Sequence, residues 1–246
     1  MRWLHAEWTK LRTLPSTWWL LATTVVLTVA VGAAAASSLT TEVCPTPEAC
    51  HEDAVKLSLS GVWLGQATCL VLGALSMGAE YGTGTVRTTL TAMPVRWRVL
   101  TAKAAALSLL TAATAAVAIP LSLWTASLIL PLHGPTLRAT AGSILILTLV
   151  ALLGLALATL FRDTAAGITS GLALLYVVPL MADILASPTW QHRLQRWTPM
   201  PAALSVQATI NLDRLPIAPW PGLGVLAAYA AGLLMAGGVV FRLRDA

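Results

Sequence analysis

Charge is scarce in this sequence. Its 246 residues include only 15 Lys and Arg and 10 Asp and Glu, 10% in all, against 57% hydrophobic residues and a mean hydropathy of +0.77. Soluble domains carry about 25% charged and about 45–50% apolar residues, so the composition excludes an ordinary water-soluble fold and points to the membrane. Histidine is scarce too: His5, His51, His133 and His192 are scattered over loops. There is no H-E-x-x-H, no G-x-S-x-G and no G-x-x-x-x-G-K-[ST] phosphate loop. Hydrolytic or metal-based catalysis therefore has no candidate centre, and the chain is not expected to bind and hydrolyse ATP in the P-loop manner by itself. Acids at membrane depth, which are kept there mainly for function, are nearly missing as well. Asp183 alone falls inside an apolar run, near its outer end, where it is expected to reach water, a proton relay being the alternative.

What the sequence does have is six long apolar runs. They cover about 16–37, 59–79, 104–130, 139–161, 165–186 and 219–241, each near the ~20 residues that cross the hydrocarbon core as a helix. The first is rich in Trp and weakly processed at its end, so it reads as a retained anchor although Ala33–Ala36 resembles a cleavage site. An even number of spans puts both termini on one side. Ten of the fifteen cations fall on that side and five on the other, which makes the terminus-bearing side cytoplasmic. The net charge of +5 thus reflects topology and gives no reason to expect a nucleic-acid partner. The expected class is all-α: one transmembrane domain, 1–246, with no separate soluble domain.

Of the three cysteines, Cys69 lies inside the second run as a small apolar side chain, while Cys44 and Cys50 share the first outer loop. An oxidising exterior would permit a Cys44–Cys50 disulfide; two free thiols are the alternative. Before the first run, residues 1–15 place Trp3, Leu4, Trp8 and Leu11 on one helical stripe and Arg2, His5, Thr9 and Arg12 opposite. That spacing predicts an amphipathic helix in the inner headgroup layer, broken by Pro15, whereas a plain basic flank would carry the charge without the periodicity. Trp18 and Trp19 then suit the aromatic belt. Pro120 and Pro179 are expected to kink the third and fifth spans. Gly61-x-x-x-Gly65 and Gly167-x-x-x-Gly171 fit close helix packing and name no dimer face. The outer segment 187–218 carries Trp190 and Trp197, with Trp220 just beyond it, and is expected to rest on the membrane surface, as a cap over a pathway or as a plain connection.

Polarity concentrates in one place, 80–103, the only long inner loop. Glu80 ends the second span against the negative end of a helix dipole and should seek a cation: Arg87, Lys10 or Arg12. Gly82 and Gly84 allow a bend, and Thr83 or Thr85 can cap a new helix. Val86, Leu90 and Met93 give that helix an apolar face, and Pro94 ends it before Arg96-Trp97-Arg98.

The stretch E-Y-G-T-G-T-V-R-T-T-L-T-A-M-P-V-R resembles the segment after the second span in permease subunits of ABC transporters of the type 2 exporter class. The start A-E-W-T-K-L-R-T-L-P-S-T-W-W resembles the N-terminus of its high-GC Gram-positive branch, and with six spans the resemblance covers the whole chain. It implies an elbow helix at the N-terminus and a coupling helix that docks on a separate ATPase. Glu80, Tyr81, Gly82, Gly84, Thr85 and Arg87 would carry the signature, with Val86, Leu90, Pro94 and Arg96 completing the docking unit. Gly82 stands where many relatives have a basic residue. The resemblance further implies a bacterial cytoplasmic membrane, a second permease copy or paralogue, membrane lipids as surroundings, and ATP with Mg on the partner alone. In this class spans 2 and 5 line the pathway, which nominates Gln66, Thr68, Thr169 and Tyr176. An apolar cavity would suit a drug, a peptide antibiotic or a lipid-like molecule, as in multidrug efflux and antibiotic resistance. Two other readings stay open: a membrane anchor or sensor that recruits a cytosolic partner without transport, and an ion-coupled carrier.

Overall fold

The computed structural model describes residues 2–38, 53–92, 95–129, 136–185, 188–210 and 212–243. Cys44, Cys50, Met93 and Pro94 lie outside them, so the disulfide and the proline stop do too. The described residues form helices and no strand. In chain order these are α1 Arg2–Thr13, α2 Pro15–Ser38, α3 Ala54–Ser58, α4 Val62–Gly82, α5 Thr85–Ala92, α6 Arg96–Ser127, α7 Thr136–Phe161, α8 Thr164–Leu172, α9 Val178–Leu185, α10 Pro188–Trp197, α11 Pro199–Leu204 and α12 Pro219–Leu243. Six paths are long and apolar enough to cross a membrane: Pro15–Ser38, Val62–Thr83, Arg96–Ser127, Thr136–Phe161, Thr164–Met181 and Pro219–Leu243. The chain is an all-α, multi-pass membrane protein.

The third span starts earlier than its apolar run. Nothing between Arg96 and Lys103 breaks a helix, and Val99, Leu100, Ala102 and Lys103 are buried, so α6 is continuous from Arg96. Its 32 residues reach about 48 Å, well beyond ~30 Å of hydrocarbon, which leaves its first turns outside the apolar layer. Pro120 lies within this helix without ending it. Around Pro179 the fifth span adapts differently. The ring cannot donate to the carbonyl four residues back, and the preceding turn, Ala173–Val177, is a π-helix in which the Val178 amide reaches back to Ala173. Pro15 opens α2 as a first-turn residue, and the Trp18 indole donates to the Arg12 carbonyl at 2.8 Å, closing the end of α1.

Glycine sets how closely the spans approach. A Cβ on Gly73 would meet the Ala151 carbonyl of α7, and a Cβ on Gly154 would meet the Leu70 carbonyl of α4, so these two helices touch backbone to backbone. Gly61 and Gly65 sit on Thr28 of α2, while Gly167 and Gly171 sit on Ala158 and Leu70. Both small-residue pairs therefore pack inside the bundle. The result is a bundle centred on α7, against which α4, α6, α8 and α12 all pack.

At the end away from the termini, part of the segment read as lying on the membrane surface is buried instead. Met200, Ala202, Ala203, Val206 and Gln207 are covered, because Gly142 and Gly222 leave room for Val206 and for the Ala202 carbonyl. Gln207 donates to the Ser143 hydroxyl at 3.0 Å, and Arg138 donates to the Ala208 carbonyl. The segment is wedged between α7 and α12. Trp197 and Trp220 remain exposed.

Candidate functional site

The structure gathers the polar island at the terminus-bearing end around one cluster of four charges. On α1, Glu7 and Leu11 are one turn apart and both are buried against the bundle. Lys103, in the early turns of α6, donates to Glu7 Oε2 at 2.8 Å and to Glu80 Oε1 at 2.9 Å. Lys10 donates to Glu80 Oε1 at 3.0 Å and to Glu7 Oε1 at 3.3 Å. The Lys103 and Glu7 side chains are only 3% and 4% exposed, whereas that of Lys10 is 45% exposed. Two carboxylates and two ammonium groups balance, so the cluster carries no net charge into its buried position. Burial opposes the charge on Lys10, but hydrogen bonding and attraction from Glu80 and Glu7 outweigh it and hold its pKa above the ordinary lysine value.

The cation sought by Glu80 is therefore Lys10, as one of three expected partners, together with Lys103. Sequence reasoning counted Lys103 only as a topological charge and passed over Glu7. The i, i+4 spacing of Glu7 with Leu11 was the available signal that a carboxylate shared the apolar stripe. Through these bonds the end of α4, the start of α6 and the surface helix α1 form one mechanical unit. α1 packs on protein through Glu7 and Leu11.

A second junction lies beside it. Arg96 donates to the Phe241 carbonyl at 2.8 Å and Arg162 to the Val240 carbonyl at 3.3 Å, supplying cations where the last turn of α12 leaves acceptors. The Arg162 guanidinium also lies 5.9 Å from the Tyr81 ring centre, and Tyr81 meets Phe241 edge to face at 6.5 Å. Tyr81 thus joins α4 to α12. Arg242 stacks over Trp97 at 5.5 Å. Arg162 itself has φ 57°, a left-handed residue at the α7–α8 corner, and Asp163 caps α8 by accepting from the Ala166 amide at 2.7 Å.

From this root the chain turns into α5. Gly84, at φ +71°, makes the turn, while Gly82 is helical and has open space beside it. Only one of the two glycines is required by conformation. Gly84→Ala is expected to cost about 1–2 kcal/mol, and Gly82→Ala to be neutral or slightly stabilising; thermal unfolding of the two purified variants separates them. The Thr83 hydroxyl donates to the Ala79 carbonyl at 2.8 Å and lies 2.9 Å from the Thr85 hydroxyl, so Thr83 closes α4 and does not cap α5.

Val86 departs from its expected role. It is buried in the core, so it anchors α5 to the bundle and is not free to face a partner. The face of α5 that is open carries Thr85, Thr88 and Thr91. Arg87 and Leu90 lie on α5, with their side chains outside the described ones.

The four proposed lining residues do not converge on one surface, although Tyr176 reaches the Gln66 side chain. Gln66 is buried within the protein, with its amide nitrogen unpartnered among the described residues. Thr68 turns towards α2, with its hydroxyl 2.6 Å from that of Thr24. Both face the bundle because α4 is enclosed by neighbours on most sides. Thr169 is exposed and returns its hydroxyl to Ala165 at 2.8 Å. Tyr176 donates to the Trp63 carbonyl and stacks edge-on against the Trp63 ring at 5.0 Å, joining the fifth span to α4. Cys69 is a buried free thiol, and among the described residues no group of His, Cys, Asp and Glu is arranged to hold a metal.

Protein-family models give no match to the chain, and comparison with curated proteins gives none either.

Proposed function

We propose that this chain is the membrane-spanning permease subunit of an ATP-driven exporter in a bacterial cytoplasmic membrane, with both termini in the cytosol. A separate ATPase would carry ATP and Mg, and a second permease copy or paralogue would complete the pathway. The observation that carries this reading is the Glu7–Lys10–Glu80–Lys103 cluster at the root of α5. A push on a short helix moves spans only if it is rigidly joined to them. Here the Gly84 turn joins α5 to α4, Val86 seats it in the core, and the cluster extends the joint to α1 and α6. A force on α5 is thereby delivered to several helices at once, which suits rigid-body rocking between two arrangements. The chain's own role is mechanical, and its cargo would be a hydrophobic or amphipathic molecule.

Coexpression with an ATPase encoded beside it tests the reading through copurification and ATP hydrolysis. Leu90→Asp, on the helix that would dock, is expected to abolish copurification while leaving the helical content of the permease intact. A variant that still assembled and coupled normally would remove the docking role. Copurification without ATP-dependent cargo movement in vesicles would instead favour an anchor or sensor, and transport by the chain alone on an ion gradient would favour a carrier.

A further inference from the structure

At the end of the bundle opposite the termini, a cavity of about 740 Å³ opens between the end of α2, the α3–α4 corner, residues 204–210 and Leu215. That volume lies within the roughly 300–1,000 Å³ of small-molecule sites. Its walls are mostly apolar, formed by Val31, Leu57, Trp63, Leu204, Ile210 and Leu215. Two charged residues also line it, Asp53 and Lys56, and they are not equivalent.

The Asp53 carboxylate is fully engaged by its own chain. Oδ1 accepts from the Lys56 amide at 3.0 Å and from the Thr209 hydroxyl at 2.7 Å. Oδ2 accepts from the Thr209 amide and from the Ile210 amide at 3.3 Å. It holds the segment beyond α11 against the start of α3, and a ligand cation would have to compete with four donors. The Lys56 side chain is exposed and makes no hydrogen bond or ion pair among the described residues. One turn further on, Ser60 lines the same cavity, and its hydroxyl is buried and without a partner among the described residues. The cavity thus offers an apolar floor, one unspent positive charge and one unspent hydroxyl.

The geometry points to a binding site for an amphipathic anion: an acyl-like body against Trp63, Leu204 and Leu215, with a carboxylate or phosphate head on Lys56 and Ser60. Charge complementarity selects the sign. An anion gains the free ammonium and hydroxyl, whereas a cation meets only a carboxylate already saturated, and a neutral chain leaves both donors unused. This site rests on the α3 corner and the segment 204–210 and does not depend on an ATPase, so its failure would leave the Leu90→Asp assembly test untouched.

The test uses the full chain in phosphatidylcholine nanodiscs and a terminally brominated undecanoate, whose bromine quenches nearby tryptophan. The Trp63 contribution is the difference between the wild-type protein and Trp63→Phe. Saturable quenching of that component is expected. Lys56→Gln should weaken it about fivefold, Lys56→Arg should retain it, and the matching brominated undecanol should bind about fivefold less tightly than the carboxylate. The Lys56 variants keep Trp63 and so give a reading independent of any disturbance by Trp63→Phe. Nanodiscs carrying brominated phosphatidylglycerol distinguish the source. Quenching of Trp63 there, with displacement of the soluble probe, assigns the site to a bilayer lipid; quenching by the free probe alone assigns it to a separate amphipath. Equal quenching by acid and alcohol, or a Lys56→Gln curve that overlays the wild type, would overturn the proposal.

Discussion

Lys103→Ala is expected to be among the most damaging single substitutions in this chain, costing about 3–5 kcal/mol. The ammonium group is almost wholly buried and serves two carboxylates at once, Glu7 at 2.8 Å and Glu80 at 2.9 Å. Removing it leaves two acids sharing one half-exposed lysine, and the cost comes mainly from the charge left without a counterion. Lys10→Ala removes a cation from the same acids, yet the Lys10 side chain is 45% exposed and water already screens it. Its loss should cost no more than about 1 kcal/mol. The double substitution Glu7→Gln with Lys103→Met should recover much of the loss, because charge of both signs leaves the buried site together. Denaturant titration in mixed micelles, followed by helical circular dichroism, gives the ranking. A thiol placed at buried Leu11, in a background without other cysteines, reports undocking of α1 separately and should be alkylated faster in Lys103→Ala than in the wild type. Equal stability of Lys10→Ala and Lys103→Ala would mean that the cluster is a solvated surface network and not a joint.

How far this joint was legible in the sequence depends on the kind of signal each residue gives. Span number and position follow from hydropathy, because ~30 Å of hydrocarbon demands long uncharged runs, and all six appear where apolar length places them. Span boundaries were less accessible. Hydropathy locates the apolar layer, whereas a helix ends where its backbone breaks, so α6 begins at Arg96 although its apolar run begins several residues later. Glu80 announced its need for a cation by standing at a helix C-terminus, and Lys10 was among its expected partners. Lys103 gave no such sign, because the inward bias of cations explains it without any contact. Glu7 gave a weaker one, a carboxylate at i, i+4 from Leu11 on the apolar stripe, which shows that it leaves the polar face but not what it meets. Only three-dimensional packing shows that both charges turn inward onto each other. Val86 misled in the opposite sense: apolar periodicity says that a short helix has an apolar face, but not whether that face meets a partner or its own bundle. The burial of 200–207 was hidden for a related reason. The room for it comes from Gly142 and Gly222, which are distant in sequence from the residues they admit.

Gly73→Ala should match or exceed the loss seen for most core substitutions, although it adds a single methyl group. That carbon would fall on the Ala151 carbonyl, a backbone atom that cannot rotate aside, so α4 and α7 must separate. Overpacking of this kind costs about 1–3 kcal/mol, and more where backbone is the obstacle. Separation also weakens the backbone approach by which helices associate in lipid, where apolar side chains gain little from leaving the bilayer. Gly154→Ala meets the Leu70 carbonyl from the other helix and should behave alike. Gly224→Ala and Gly232→Ala provide the controls, since a Cβ at either position meets nothing. There the higher helix propensity of alanine should stabilise by up to about 1 kcal/mol, so one chemical change carries opposite signs on α4 and α12. The double variant Gly73→Ala with Gly154→Ala should cost less than the sum of its parts, because the helices moved apart by the first methyl leave room for the second. Strict additivity in the same denaturant titration would contradict a shared α4–α7 contact and place the two glycines at independent sites. If the contact is shared, its loss should also reach α1, because α4 carries at its far end the Glu80 that holds Lys10 of α1, and a thiol at Leu11 should then be more reactive in Gly73→Ala as well.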